Sequence, residues 1–163
     1  MISNVRLMTA ITVKTVTRAD LDDLVASVTA LFREDAGQHD PATDQSWPGR
    51  EGPANYASLL GDRSCLLALA CDGDRAVGHL VGKVSGPNSI RTVTLAVLES
   101  MRVAPESRGA GVGSLLVRHF LTWAREQGAQ QASVTAYAAN STALRLYARH
   151  GFQPMSITSR SIL

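Results

Sequence analysis

Arg108-Gly109-Ala110-Gly111-Val112-Gly113 lies between a β-branched run ending at Val103 and an apolar helical pattern starting near Ser114. A strand that stops, a turn of small residues and a helix that starts leave unpaired backbone N–H groups converging on one spot. The helix dipole adds partial positive charge there, so the spot suits an anion, most naturally a phosphate. Glycine at alternate positions lets the backbone close on a ligand without a Cβ in the way. Arg108 at the lip adds a planar, charged fork that matches phosphate oxygens.

Three glycine-rich designs compete for this stretch. A Walker loop needs lysine after its last glycine, and none follows here. A dinucleotide fingerprint needs a third glycine where Ser114 stands, and an acidic residue about twenty positions on at a strand end. Glu126 is the nearest acid to that position and falls within the expected helix. The third design, Arg/Gln-x-x-Gly-x-Gly, is met by Arg108, Gly111 and Gly113 after a Val103-x-Pro105 entry. It resembles the pyrophosphate loop of the GNAT superfamily of acyl-CoA-dependent N-acyltransferases. A second block, Asn140-x-x-Ala143-x-x-Leu146-Tyr147-x-x-x-Gly151-Phe152, is similar to that family's later CoA-binding block. The two blocks and the strand before them span residues 92–153. Nothing at their defining positions departs from the pattern.

At 163 residues, the chain is read as a single domain with enough length to bury a core, and residues 1–8 as a flexible tail. It holds no apolar run of the roughly eighteen residues that a membrane span needs. Cys65 and Cys71 fall on one expected strand, roughly 20 Å apart, too far to bridge. They read as buried small hydrophobes in a reducing, cytoplasmic setting. A formal net charge of +2 hides a division along the chain. From Thr17 to Asp62, nine acids face Arg18, Arg33 and Arg50; from Ser100 onward, seven arginines face only Glu106 and Glu126. Such a split suits a polyanionic ligand at one end and a cationic one at the other. With no lysine-rich run, the late arginines point to cofactor phosphates rather than nucleic acid.

Ile11–Val16 alternates as a strand, and Thr17 can cap a helix carrying Leu21, Leu24, Val25, Val28, Leu31 and Phe32 at helical spacing. Gly37 to Pro53 reads as a long loop and Pro53–Leu60 as a short helix. Ser64–Cys71 and Arg75–Ser85 form a hairpin about Asp72-Gly73-Asp74, and Thr92–Val103 is a long strand. The helix after the glycine loop stops at Gly128. Gln131–Ala136 is a strand, Ser141–His150 a helix, and the chain from Gln153 has strand character. The order β-α-α-β-β-β-α-β-α-β describes an α/β fold with a mixed, mostly antiparallel central sheet flanked by helices, and it agrees with the GNAT order.

The resemblance implies direct transfer of an acetyl group from acetyl-CoA to a primary amine. It implies that a backbone N–H near Met101 meets the thioester oxygen, with Arg102 and Val103 beside the pantetheine arm. The diphosphate would rest on residues 108–114 (Arg108, Gly109, Ala110, Gly111, Val112, Gly113, Ser114), with Asn140 bonding the pantetheine or diphosphate and capping its helix. Strand parity puts Glu99, Met101 and Val103 on one face, and the family often places its general base where Glu99 stands. Tyr147, on the helical face of Asn140, takes the general-acid position. Arg145 and Arg149 are either contacts for the ribose phosphate or solvated helix arginines. Glu34, Asp35, His39, Asp40 and Trp47, with Glu99 and His79, are candidates for the acceptor side, where carboxylates around an aromatic platform suit a polyamine or aminosugar. No His/Cys/Asp cluster at ligand spacing accompanies the histidines, so no metal is expected. The leading reading is N-acetylation of an aminoglycoside-type antibiotic by a homodimer. Acetylation of a protein N-terminus or lysine, and CoA sensing without turnover, are the alternatives.

Overall fold

The computed structural model describes residues 10–163, so the tail expected over residues 1–8 lies outside the described residues. Five strands form one sheet in chain order: β1 (Ile11–Thr15), β2 (Cys65–Asp72), β3 (Arg75–Ser85), β4 (Leu95–Val103) and β5 (Gln131–Val134). The first three junctions are antiparallel, and β4–β5 is parallel. β2 and β3 turn through Gly73, whose φ of +58° provides the left-handed conformation that such a tight turn needs.

β2 is buried on both sides, and its alternation divides the core into two layers. Leu66, Ala68 and Ala70 face α5 (Val112–Glu126), whose buried Val112, Leu116, Val117, Phe120 and Ala124 recur at helical spacing. Leu67, Leu69 and Cys71 face α1 (Leu21–Leu31), where Leu24 and Val28 are buried. α5 lies close to the sheet because Gly82 sits beneath it: a Cβ there would meet the Phe120 ring at 2.9 Å. α5 ends as the sequence indicates, with Gly128 at φ +76°.

Before α1, Thr17 and Asp20 form a capping box: the Thr17 N–H and hydroxyl donate to Asp20 Oδ2 at 2.9 and 2.7 Å. Beyond Leu31 the helix continues where a loop is expected. A π-helical turn over Phe32–Ala36 leads into α2 (Gly37–His39), and α3 (Trp47–Arg50) and α4 (Gly52–Ser58) follow, each with a proline at its start. The expected Gly37–Pro53 loop therefore shrinks to residues 40–46. α6 (Ser141–Arg149) packs beside α5.

The strand expected from Gln153 is not formed, and the sheet ends at β5. Alternating apolar residues make a strand only when a neighbouring backbone pairs with them. Here Met155 and Ile157 are each 93% exposed, and Arg160 Nη1, 2.7 Å from Asp40 Oδ2, makes the segment's ion pair to the body.

Phe120 joins the helix to the sheet and is wholly buried. Phe120→Ala should lower the unfolding free energy by about 3–5 kcal/mol, read from urea denaturation.

Candidate active site

β4 and β5 pair from Leu95/Gln131 to Leu98/Val134, and β4 then runs on to Val103 still paired with β3 but with no strand on its β5 side. The strands part at this point and open a cleft of about 860 Å³. Its floor is the end of β4 and the turn into α5. Gly109 and Gly111 adopt φ of +77° and +82°, a left-handed backbone that costs any residue with a Cβ about 1–2 kcal/mol. The first backbone bond across the start of α5 runs from the Leu115 N–H to the Gly111 carbonyl at 3.0 Å. The Val112, Gly113 and Ser114 amides are thus left at the open helix end. α6 forms the opposite wall, its first turn capped by Asn140, whose Oδ1 accepts from the Ala143 N–H at 3.1 Å. A Cβ on Gly113 would reach Leu146 at 3.0 Å, so glycine there allows α5 and α6 to approach.

Every residue expected at the cofactor lines this cleft except Ala110 and Tyr147, and Arg145 and Arg149 line it too. Tyr147 is buried instead, edge-on to Phe152 with ring centroids 5.8 Å apart. Burial, and then the charge of Asp35, push its phenol up to about 12, so it stays protonated at neutral pH.

Glu34 is expected on the acceptor side but lies in this cleft, on the π-helical turn. Its carboxylate takes Arg102 Nη2 at 2.7 Å and Nε at 3.1 Å, and Arg108 Nη2 at 2.9 Å. The hydrogen bond from Arg102 chiefly holds the Glu34 carboxyl below its usual range, against the effect of burial. Arg108 also donates from Nε to the Val103 carbonyl at 2.9 Å, which aims its guanidinium across the mouth of the loop. Two guanidiniums against one carboxylate leave a single positive charge in excess, beside the positive end of α5. Loop amides, glycine geometry and excess cationic charge together fit a nucleotide diphosphate.

A second chamber of about 700 Å³ lies on the far side of the π-helical turn and shares Leu31 and Asp35 with the cleft. Trp47 stacks on Phe32 at 5.9 Å and meets Tyr56 edge-on at 6.4 Å. Asp35, Asp40 and Glu99 bring carboxylates to this aromatic wall, and Arg160 pairs with Asp40. His39 lines the first cleft rather than this chamber; its ring tilts against Tyr137 at 5.0 Å, with Nε2 3.6 Å from Asp35 Oδ1.

Glu99 reaches the chamber by a route that parity does not foresee. Val81 pairs with Ser100 and Gly82 with Leu98, so Glu99 is the extra residue of a β-bulge. Ala96, Leu98, Met101 and Val103 therefore share the α5 face, while Glu99 and Ser100 turn toward the chamber. The expectation that Glu99 aligns with Met101 and Val103 is corrected: Glu99 is exposed in the chamber, where its charge adds to burial in pushing the Tyr56 phenol up to about 12.

His79 lines neither cavity, contrary to expectation. It is wholly buried, with Ser27 Oγ 2.7 Å from Nδ1 and Ser100 Oγ 2.8 Å from Nε2. Burial, and then Arg102, bring its pKa down to about 3. Sequence reading misses Ser27, Ser100, Tyr56, Tyr137 and Arg160. Parity assigns Ser100 to the opposite face from Glu99, and nothing local links Arg160 to Asp40 across 120 positions. Among the described residues, no group of three or more His, Cys, Asp or Glu could hold a metal, and no helix is long and apolar enough to cross a membrane.

A family model described as "Acetyltransferase (GNAT) family" matches residues 25–152, and the chain belongs to that family. Streptothricin acetyltransferase of Streptomyces lavendulae is 33% identical over 104 residues, 64% of this chain and 52% of that protein. The chain spans about half the length of this relative and of a second, the uncharacterized N-acetyltransferase YjhQ of Escherichia coli. Among solved structures, a transcriptional regulator from Bacillus halodurans C-125 aligns at 24% identity with a TM-score of 0.75, covering 94% of this chain and 100% of that one. The aminoglycoside acetyltransferase meta-AAC0020, from an uncultured soil metagenomic sample, aligns at 15% identity with a TM-score of 0.71, covering 94% and 96%. Both structures share the fold.

Gly111→Ala should weaken coenzyme A binding about tenfold, as expected for a left-handed residue gaining a Cβ at the phosphate turn. Gly86→Ala, in open space at an ordinary φ, is the control; isothermal titration reads both. The His79 imidazole, neutral when folded, ionises freely near pH 6.5 when unfolded, so the unfolded chain takes the extra proton on acidification. Folding stability should therefore fall as pH drops below about 6.5 and level off near 3; His79→Gln should flatten that slope in urea titrations.

Proposed function

We propose that this chain transfers the acetyl group of acetyl-CoA directly to a primary amine of a small cationic molecule, best represented by aminoglycoside- or streptothricin-type antibiotics. The observation that carries this reading is the pair of cavities meeting at Leu31 and Asp35: cationic and glycine-lined on one side, carboxylate- and aromatic-lined on the other. Streptothricin acetyltransferase among the relatives, and aminoglycoside acetyltransferases among the fold neighbours, support that class of acceptor.

In this reading the amides of Val112, Gly113 and Ser114, with Arg108, hold the diphosphate. The free edge of β4 near Met101 receives the pantetheine arm and the thioester oxygen. Trp47 and Tyr56 offer ring faces to the acceptor, while Asp35 and Asp40 meet its positive charges. Glu99 takes a proton from the ammonium group, directly or through water. The nitrogen lone pair then forms the C–N bond; as the tetrahedral centre collapses, its second N–H proton passes to water and the C–S bond breaks with its electron pair on sulfur, the thiolate taking up a proton from water as it leaves. Tyr147, protonated at neutral pH, is the hydrogen-bond donor for that sulfur. The free thiols of Cys65 and Cys71 support a reducing, cytoplasmic setting, and the exposed apolar side chains after Gln153 support a homodimer.

Thiol release from acetyl-CoA with a panel of aminoglycosides, streptothricin, simple polyamines and peptides tests the reading. Turnover confined to the small cationic amines is expected; turnover of peptides alone, or of nothing, would overturn it. Glu99→Gln should lower kcat roughly a hundredfold or more while leaving acetyl-CoA affinity in place.

A further inference from the structure

Ser27, His79 and Ser100 form a connected polar chain through a buried part of the fold, from α1 across β3 to the bulge of β4. The two ends differ in their surroundings. Ser27 is buried among the apolar side chains of its layer, and its hydroxyl has no partner other than His79 Nδ1 among the described residues. Ser100 is half-buried and borders the acceptor chamber beside Glu99.

That asymmetry gives the chain a direction. A neutral imidazole carries one N–H and one lone pair. If the proton sat on Nδ1, the Ser27 hydroxyl would receive it and have nowhere to send its own, leaving a buried donor unsatisfied at a cost of roughly 1–3 kcal/mol. With Ser27 donating to Nδ1, every buried group is satisfied, and the imidazole proton lies on Nε2. Nε2–H then donates to Ser100 Oγ, which frees the Ser100 proton to point into the chamber. Hydrogen bonds in series polarise one another, so Ser100 becomes a strengthened donor. Arg102, on the same face of β4, discourages protonation of the imidazole and so preserves the arrangement.

We propose that Ser100 is a specificity-determining hydrogen-bond donor of the acceptor chamber, aimed by Ser27 and His79, and that it selects amines bearing an oxygen acceptor on the carbon next to the amine-bearing carbon. This rests on the acetyltransfer reading above. Glu99 and Ser100 are consecutive on the bulge and share the chamber side, so an amine handled by Glu99 brings its neighbouring atoms to Ser100. Ser27 and His79 are positioning residues; they touch no substrate.

The test has two arms. Nitrogen NMR of histidine-labelled protein without ligand, with the His79 signal assigned by its loss in His79→Gln, reads the tautomer. Protonation at Nε2 is expected, and protonation at Nδ1 would overturn the donor chain. In the second arm, kcat/KM is measured for 1,3-diaminopropan-2-ol and for 1,3-diaminopropane in wild type, Ser100→Ala and Ser100→Thr. Comparing the ratio between enzyme forms cancels the intrinsic difference in amine basicity. The preference for the hydroxylated diamine should fall about tenfold in Ser100→Ala, the worth of one hydrogen bond, and be retained in Ser100→Thr. An unchanged ratio in Ser100→Ala, or an equal loss on both diamines, would overturn the assignment. Absence of turnover with every amine would instead remove the acetyltransfer reading, with the tautomer measurement still judging the donor chain.

Discussion

The parting of β4 from β5 after Leu98 and Val134 is the constraint on which the rest of the site depends. A strand inside a sheet has its polar backbone groups satisfied on both edges, whereas the five residues of β4 from Glu99 to Val103 have a partner strand on one edge only. Buried backbone polarity without a partner is costly, so such an edge is stable where water or a ligand can reach it. The cleft supplies that access. Closing it with a longer β5 would satisfy the backbone internally and leave no edge for an extended, amide-bearing arm to pair with.

The same few residues also carry the bulge, and the two irregularities act together. One extra residue reverses the facing of β4, so that Met101 and Val103 stay over the α5 layer while Glu99 and Ser100 turn to the chamber. A regular strand would have put the carboxylate and the methionine on one side and mixed the two cavities' chemistries. Separation of charge follows: Arg102 and Arg108 serve the cleft, and Glu99 serves the chamber. Glu34 moderates the cationic side, sharing its carboxylate between both guanidiniums. A polyanion entering there meets fixed amides first and arginines already oriented by an internal carboxylate and by the Val103 carbonyl.

What the sequence made legible was local chemistry. The glycine turn, the start of α5, the Asn140 cap, the hairpin at Gly73 and the helix stop at Gly128 depend on neighbouring residues only, and all are present in the fold. Features set by distant partners were not legible. Period-two reasoning presumes an unbroken register, and a bulge at Glu99 breaks it. The π-helical turn carries Glu34 to the cleft at the end of β4, away from the acceptor side that its place in the chain suggests. His79 read as a substrate residue because its strand faces the centre of the sheet; its burial comes from α1, 52 positions earlier at Ser27. From Gln153 the apolar alternation is real, yet a strand forms only where its backbone pairs with a neighbour, and the segment makes no such pairing.

Asp35 occupies the neck between the two cavities and ties its walls together. Asn140 Nδ2 donates to Asp35 Oδ1 at 3.3 Å while the same side chain's Oδ1 caps α6, so one amide joins the helical run of residues 21–39 to the wall carrying the second CoA-like block. The helical run and the α6 wall are joined at this level by a side-chain hydrogen bond, not by backbone pairing. A carboxylate there also sets the electrostatics of passage. It favours positive charge at the neck and raises the cost of ionising Tyr147 behind the cleft. Loss of that charge should therefore be felt on both sides at once, in the chamber's hold on cations and in the ease with which the buried phenol ionises. That double dependence distinguishes a residue at a shared boundary from one that merely lines a wall.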